Sequence, residues 1–132
     1  MKIYSCLLPS DPTPNIKANG SDGPITIKSA DTLSVTVSLD PGGYTGENAD
    51  WWAVAMTPLG WFHYDLPSDS WQPDLVVSYQ GSLFDLSTME VLNKSWLPIG
   101  SYTIYFGVDM NMNGILDMDK AYYDSVEVNV TQ

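Results

Sequence analysis

The chain has 132 residues, the usual size of one domain, and can bury roughly two-thirds of the surface that its unfolded form exposes. Its sixteen acidic and five basic residues give a net charge of −11, which argues against nucleic acid as a partner because phosphate backbones repel such a molecule. Charged residues are scarce at 16% and aromatic residues are abundant at 12%, a composition that argues against disorder.

The single cysteine, Cys6, cannot form an internal disulfide, so core packing, aided by a metal where one binds, has to stabilise the fold. No apolar run approaches the roughly 18 residues of a membrane span, and the first ten residues lack the apolar region of a signal peptide. The residues before Cys6 loosely resemble the end of a bacterial lipoprotein signal. The favoured interpretation is that Cys6 is a free thiol in a flexible leader. Lipidation of Cys6 is the alternative.

Residues 1–24 are predicted to form an N-terminal arm or linker, because the segment from Pro9 to Pro24 is crowded with Pro, Gly, Asn, Asp and Ser. Residues 25–132 are expected to form one domain, since short segments of alternating or β-branched and aromatic residues follow each other between turn signals. The predicted strands are 25–29, 32–39, 51–57, 75–80, 82–87, 101–108 and 122–130. One amphipathic helical turn is expected within residues 87–96.

Three strands with clear alternation predict the core. The predicted core residues are Leu33, Val35, Val37, Leu39, Tyr102, Ile104, Phe106, Val108, Val126, Val128 and Val130. One buried and one solvated face is typical of antiparallel sheets, and strands recurring about every ten residues favour two packed sheets over a parallel architecture with helical crossovers. The sequence therefore predicts an all-β, two-sheet antiparallel sandwich of seven to eight strands, with a closed barrel as the alternative.

The segment from Leu97 to Thr103 resembles the corner that leads into the sixth strand of immunoglobulin-like domains, where a tyrosine two residues after a glycine, here Tyr102, caps nearby backbone. Trp51 or Trp52 on the third predicted strand is similar to the tryptophan that fills the core of that family. The paired cysteines of antibody domains are absent. The resemblance over roughly residues 25–130 is thus to the disulfide-free immunoglobulin-like modules of bacterial cell surfaces, and it implies that fold.

Residues 109–119, between the last two predicted strands, carry an oxygen-bearing side chain at every second position except the seventh, Ile115, and Gly114 at the sixth. This is the pattern of a calcium loop, because calcium takes six to eight oxygen ligands and a chain that wraps the ion needs a sharp turn after its first three ligands. The predicted metal ligands are Asp109, Asn111, Asn113, Ile115 through its carbonyl, Asp117 and Asp119.

The loop resembles those of EF-hand, dockerin and thrombospondin type 3 proteins, and the carbonyl role of Ile115 is implied by that resemblance. It departs from the EF-hand at the twelfth position, where Lys120 replaces the bidentate glutamate, so Asp117, Asp119 or a distant Asp has to complete the ligand shell. Two neutral Asn ligands predict the weak affinity of extracellular sites, roughly 0.1 to 1 mM. The alternative is a plain hairpin tip at Asn113 and Gly114.

Catalysis is not expected. The single histidine, His63, lies among aromatic residues without a recognisable nucleophile motif or zinc spacing.

A carbohydrate-binding hypothesis rests on four tryptophans, because exposed rings can stack on sugars: Trp51, Trp52, Trp61 and Trp71. Trp51 and Trp52 should point to opposite faces of one strand, so at least one of them is expected to face solvent or a neighbouring domain.

The sequence therefore favours a non-catalytic, extracellular or cell-surface β-sandwich module with a structural Ca²⁺ ion. Its expected partners are other domains or subunits of a surface protein or filament, and its expected role is structural, adhesive or filament-assembling. The alternative is a carbohydrate-binding module whose partner is a polysaccharide.

Overall fold

The computed structural model describes residues 10–132, so the predictions about Cys6 lie outside the described residues. Ten strands form the fold: β1 (Thr13–Ala18), β2 (Ile25–Lys28), β3 (Leu33–Asp40), β4 (Asn48–Thr57), β5 (Gly60–Asp65), β6 (Ser70–Pro73), β7 (Tyr79–Ser82), β8 (Leu86–Lys94), β9 (Gly100–Asp109) and β10 (Ala121–Thr131). Two 3-10 turns, Gly42–Tyr44 and Met118–Lys120, accompany them. Between residues 10 and 132, no helix has the length and apolar character that crossing a membrane requires.

The strands form two sheets, which confirms the all-β, two-sheet prediction with ten strands rather than seven to eight. The smaller sheet has the order β1-β3-β8. The larger sheet has the order β2-β10-β9-β4-β5-β6, and β7 pairs with the first half of β4. Neighbouring strands are antiparallel except β2 and β10, which run parallel over four residue pairs.

The predicted core residues of β3, β9 and β10 are all buried between the sheets. Period-2 alternation identified them because each of these strands turns one face inward and the other outward. Their neighbours in the core include Ile16, Ala18 and Trp51.

The predicted N-terminal arm is wrong for residues 13–18, which form β1 at the edge of the smaller sheet. Ile16 and Ala18 are completely buried, and the Ile16 amide donates to Asp124 Oδ2 of β10 at 3.0 Å, which links the two sheets. Pro14 and Asn15 in this strand obscured its signal; an edge strand tolerates proline because one of its sides has no hydrogen-bonding partner.

The predicted helical turn within 87–96 is also wrong, because residues 86–94 form the extended strand β8. Two register shifts against β3 interrupt the regular alternation of β8. Such bulges displace the side-chain pattern from period 2, and the spacing then imitates that of a helix.

Strand β4 lies at the centre of the larger sheet and is buried from Ala49 to Ala55. Its odd-numbered residues face the core. Asp50, Trp52 and Val54 therefore point to the outer face of the sheet, where they are nevertheless buried. A strand that is buried on both faces at the middle of the sheet can place a charged residue in a position sheltered from water.

Candidate functional site

The loop between β9 and β10 is anchored by Asp109, the last residue of β9, which is fully buried. Asp109 Oδ1 accepts a hydrogen bond from the Asn111 amide at 2.9 Å, and Oδ2 accepts one from the Asp117 amide at 3.0 Å. One carboxylate thus holds both sides of the loop.

A second buried carboxylate, that of Asp50, supports the loop from β4. Asp50 Oδ2 accepts from the amides of Asn113 at 3.2 Å and Gly114 at 2.7 Å, and Oδ1 accepts from Gln80 Nε2 at 2.8 Å. Sequence reasoning did not single out Asp50. The available signal was an acidic residue at the start of an otherwise apolar strand, a position where charge is costly unless it has partners.

Asp50 and Asp109 face each other directly across the β4–β9 ladder, and each is 0% exposed. Like charges directly opposite each other in a sheet are destabilising. No lysine pairs with either carboxylate, since the one ion pair among residues 10–132 joins Lys17 and Asp22. Backbone amides and Gln80 therefore compensate the two buried charges in the described part of the chain.

The predicted ligands lie around this pair, but their side chains also serve the loop itself. Asn111, Asn113, Ile115 and Asp119 are exposed and Asp117 is half-buried. Asn113 Oδ1 accepts from the Ile115 amide at 3.0 Å, and Asp117 Oδ1 accepts from the Asp119 amide at 3.1 Å. Gly114 has φ +76°, the left-handed conformation expected at the sixth position.

The donor set fits calcium by its chemistry, because every candidate ligand atom is a hard oxygen and two of the side chains are buried carboxylates. A carboxylate offers about four lone-pair sites. The hydrogen bonds above use three of these sites on Asp50 and two on Asp109. Each carboxylate therefore has at least one lone-pair site left for a cation. Within residues 10–132 no three His, Cys, Asp or Glu side chains form a metal site, so amide and backbone carbonyl oxygens would have to complete the shell.

No protein-family model, curated protein or solved structure matches this chain.

The four predicted ligand-binding tryptophans do not form a platform. Trp51 and Trp52 point to opposite faces as expected, yet both are buried, at 5% and 4% exposure, so the prediction that one of them faces solvent is wrong. Trp51 packs in the core near Phe84, with ring centroids 5.0 Å apart. Trp71 is half-buried, and its Nε1 donates to the Val91 carbonyl of the smaller sheet at 2.8 Å.

Trp61 belongs instead to a row of rings on the outer face of the larger sheet, which we call the aromatic row: Trp61, Tyr105 and Tyr123. The ring centroids are 6.0 Å apart between Trp61 and Tyr105 and 6.1 Å apart between Tyr105 and Tyr123. Trp61 and Tyr123 are exposed, and Met56 and Thr103 on the same face carry no charge. Glu127 is on this face too, opposite Thr103 in the β9–β10 ladder, so the row is an aromatic surface with an acidic neighbour.

His63 is buried on the outer face beneath the chain segment that follows β6. Its Nδ1 lies 2.8 Å from the carbonyl oxygen of Asp74, which accepts the hydrogen bond. The neighbouring Tyr64 faces the core and donates to the Asp69 carboxylate; burial, followed by this hydrogen bond, raises the pKa of Tyr64 to about 12. Both contacts hold the β5–β6 region in place.

Proposed function

We propose that this chain is a non-catalytic β-sandwich module of a cell-surface or secreted protein, and that a calcium ion at the loop 109–119 stabilises it. The observation that carries the proposal is the pair of fully buried, directly opposed carboxylates of Asp50 and Asp109 without a basic partner in the described chain. A divalent cation would supply the positive charge that this pair lacks. The ion would then join β4, β9 and β10, and its binding energy would add to folding.

The strand order supports the immunoglobulin-like assignment. Variable-type immunoglobulin domains add two strands to the G-F-C sheet, next to strand C, and pair strands A, B and E in the other sheet. Here β10-β9-β4-β5-β6 and β1-β3-β8 follow the same orders, although β7 pairs with β4 instead of joining the smaller sheet. The buried Tyr102 also donates to the Pro98 carbonyl at 2.6 Å, as a tyrosine corner does.

The environment outside cells follows from the expected affinity. Two of the early ligands are neutral Asn side chains, which predicts a dissociation constant of roughly 0.1 to 1 mM, and such a site fills where free calcium is millimolar. We infer a structural or adhesive role in a larger surface assembly, because a site that only strengthens the fold suits a module that holds other parts together.

Thermal unfolding in EDTA and in 10 mM CaCl₂, together with calorimetric titration of calcium, tests the proposal. We expect calcium to raise the melting temperature of the unchanged protein and to bind with one site. An Asp109→Asn variant should lose the calcium-dependent shift. Glu127→Gln is the matched control, because Glu127 is exposed on β10 and its replacement changes the net charge by the same amount. A melting temperature that is equal in EDTA and in calcium would mean that the loop is a hairpin held by its own amides and does not bind calcium.

A second candidate function, polysaccharide binding, has one specific observation in its favour: the aromatic row. Its three rings lie across β5, β9 and β10, where stacked rings could contact a sugar chain, and the neighbouring Met56 and Thr103 are uncharged. This proposal replaces the platform of Trp51, Trp52, Trp61 and Trp71 by a row that retains only Trp61.

Affinity electrophoresis in gels that contain a neutral β-glucan tests this second candidate. Retardation of the unchanged protein should be lost in Trp61→Ala and Tyr123→Ala and kept in Trp96→Ala, which removes an exposed ring from another loop. Equal mobility of all four proteins with and without the glucan would exclude the glucan as a ligand of this face.

A further inference from the structure

An apolar cavity opens between the two sheets at the end of the sandwich opposite the loop 109–119. Its volume is about 420 Å³, within the range of small-molecule binding sites. Leu33 and Leu92 line it from the smaller sheet, and Ala55, Phe62 and Ile104 line it from the larger sheet. Ile104, the lining residue of β9 nearest to the loop, is five residues from Asp109, about 17 Å along the strand.

The cavity exists because small and large residues meet there without filling the space between the sheets. Ala55 contributes only a methyl group to the lining from the inner face of β4. Trp71 lines the cavity, and its hydrogen bond to Val91 fixes the indole ring against the opposite sheet. Interiors are normally packed to the density of organic crystals, so an apolar space of this size is an exception that invites an occupant.

Exposed apolar residues belong to the lining of the cavity. Leu59, in the turn between β4 and β5, lines it and is 71% exposed. Pro98, between β8 and β9, lines it and is exposed as well. An apolar rim that continues an apolar cavity is a typical feature of a binding site.

The charge at the mouth indicates the kind of ligand. Among the residues of the described range 10–132 that line the cavity, Lys94 is the only charged one, although the chain has sixteen acidic residues and five basic ones. A lysine at the rim of an apolar cavity complements a ligand with an apolar body and an anionic end. None of the acidic residues lines the cavity to oppose such a group.

We propose that this cavity binds a free long-chain carboxylate, with the alkyl chain between the sheets and the carboxylate at Lys94. Each methylene transferred from water to the cavity favours binding, and a charge-assisted hydrogen bond to Lys94 adds to it. The proposal is independent of the calcium site, because no lining residue belongs to the loop 109–119.

Titration with dodecanoate below its micellar concentration, followed by calorimetry, tests the proposal on the whole protein. Quenching of tryptophan fluorescence by 11-bromoundecanoate gives a second readout, because Trp71 lines the cavity. We expect saturable 1:1 binding in both assays in EDTA, which also shows that the cavity binds its ligand without calcium. Dodecyltrimethylammonium, which has the same chain and the opposite charge, should bind about tenfold or more weakly.

Variants separate the two parts of the ligand. Lys94→Gln should weaken dodecanoate binding about tenfold, whereas Lys28→Gln, the matched control at an exposed lysine outside the lining, should change it less than about twofold. Ala55→Leu and Leu92→Phe each fill part of the cavity and should abolish quenching. Two filling variants are used because one of them could fail to fold, which thermal unfolding detects.

Four results would overturn the proposal. The first is absence of saturable dodecanoate binding, and the second is equal binding of the cationic surfactant. The third is undiminished binding by both folded filling variants. The fourth is binding to vesicles of anionic phospholipid without binding of soluble dodecanoate, which would assign the apolar rim to a bilayer surface instead.

Discussion

Replacing Asp50 by Asn distinguishes a cation site from a loop that is held only by hydrogen bonds. Asp50 and Asp109 are directly opposite, which places their Cβ atoms about 5 Å apart. Two unit charges at about that separation repel each other by about 3 kcal/mol at an effective dielectric constant of about 20. The Asn side chain relieves this repulsion but weakens the bonds to the amides of Asn113 and Gly114, each worth about 1.5 to 3 kcal/mol. Without calcium, the two effects oppose each other.

With calcium, the same replacement also removes a ligand. For a dissociation constant of 0.1 to 1 mM, 10 mM calcium stabilises the unchanged protein by about 1.4 to 2.7 kcal/mol, which corresponds to roughly 4 to 15 °C in melting temperature. We expect Asp50→Asn to lower the free energy of unfolding by that much more in calcium than in EDTA. Urea unfolding under both conditions measures the difference, and an equal effect in both would refute the role of Asp50 in cation binding.

Three other substitutions test the fold around the site. Burial and the hydrogen bond to Asp69 raise the pKa of Tyr64 from about 10 to about 12, so its contribution to stability is complete below pH 10 and is lost as the pH rises towards 12. Between pH 9 and 11.5 this loss should be roughly 2 kcal/mol in urea unfolding, and Tyr64→Phe should remove it. Tyr102→Phe deletes the bond to the Pro98 carbonyl and should cost about 1 to 2 kcal/mol, measured at pH 7. Gly107→Ala places a methyl group against the backbone of β10 and should cost about 1 to 3 kcal/mol; an unchanged stability would mean that the two strands separate easily.

The strands that could be predicted from the sequence are those in which the residues of the strand itself show which face is buried. Strands β3, β9 and β10 alternate because one face is buried along their whole length. Strand β4 is buried on both faces, so it reads as a continuous apolar run whose tryptophans have no evident direction. The exposure of Trp51 and Trp52 depends on what the rest of the chain places over them, and local pattern does not contain that information.

Only part of the candidate site could be predicted, because Asp50 reaches it from a position that is distant in sequence. The spacing within 109–119 depends on adjacent residues only, so Asp109 and Gly114 stand out at once. Asp50 reaches the loop through pairing of β4 with β9, a contact between residues 59 positions apart in sequence. Strand register over such a distance follows from the packing of the whole sandwich. The local sequence pattern therefore could not identify Asp50 as the remaining candidate ligand.

The parallel pairing of β2 with β10 has a mechanical consequence for a module within a longer assembly. Tension along the chain loads the edge strand β1 first on the N-terminal side and then β2, and it loads β10 on the C-terminal side. Because the two strands run in the same direction, these forces slide them past each other along their axes. The hydrogen bonds between Ile25–Lys28 and residues 128–131 then carry the load together instead of opening one after another. Such shear geometry makes this short pair a mechanical clamp between the two ends of the domain.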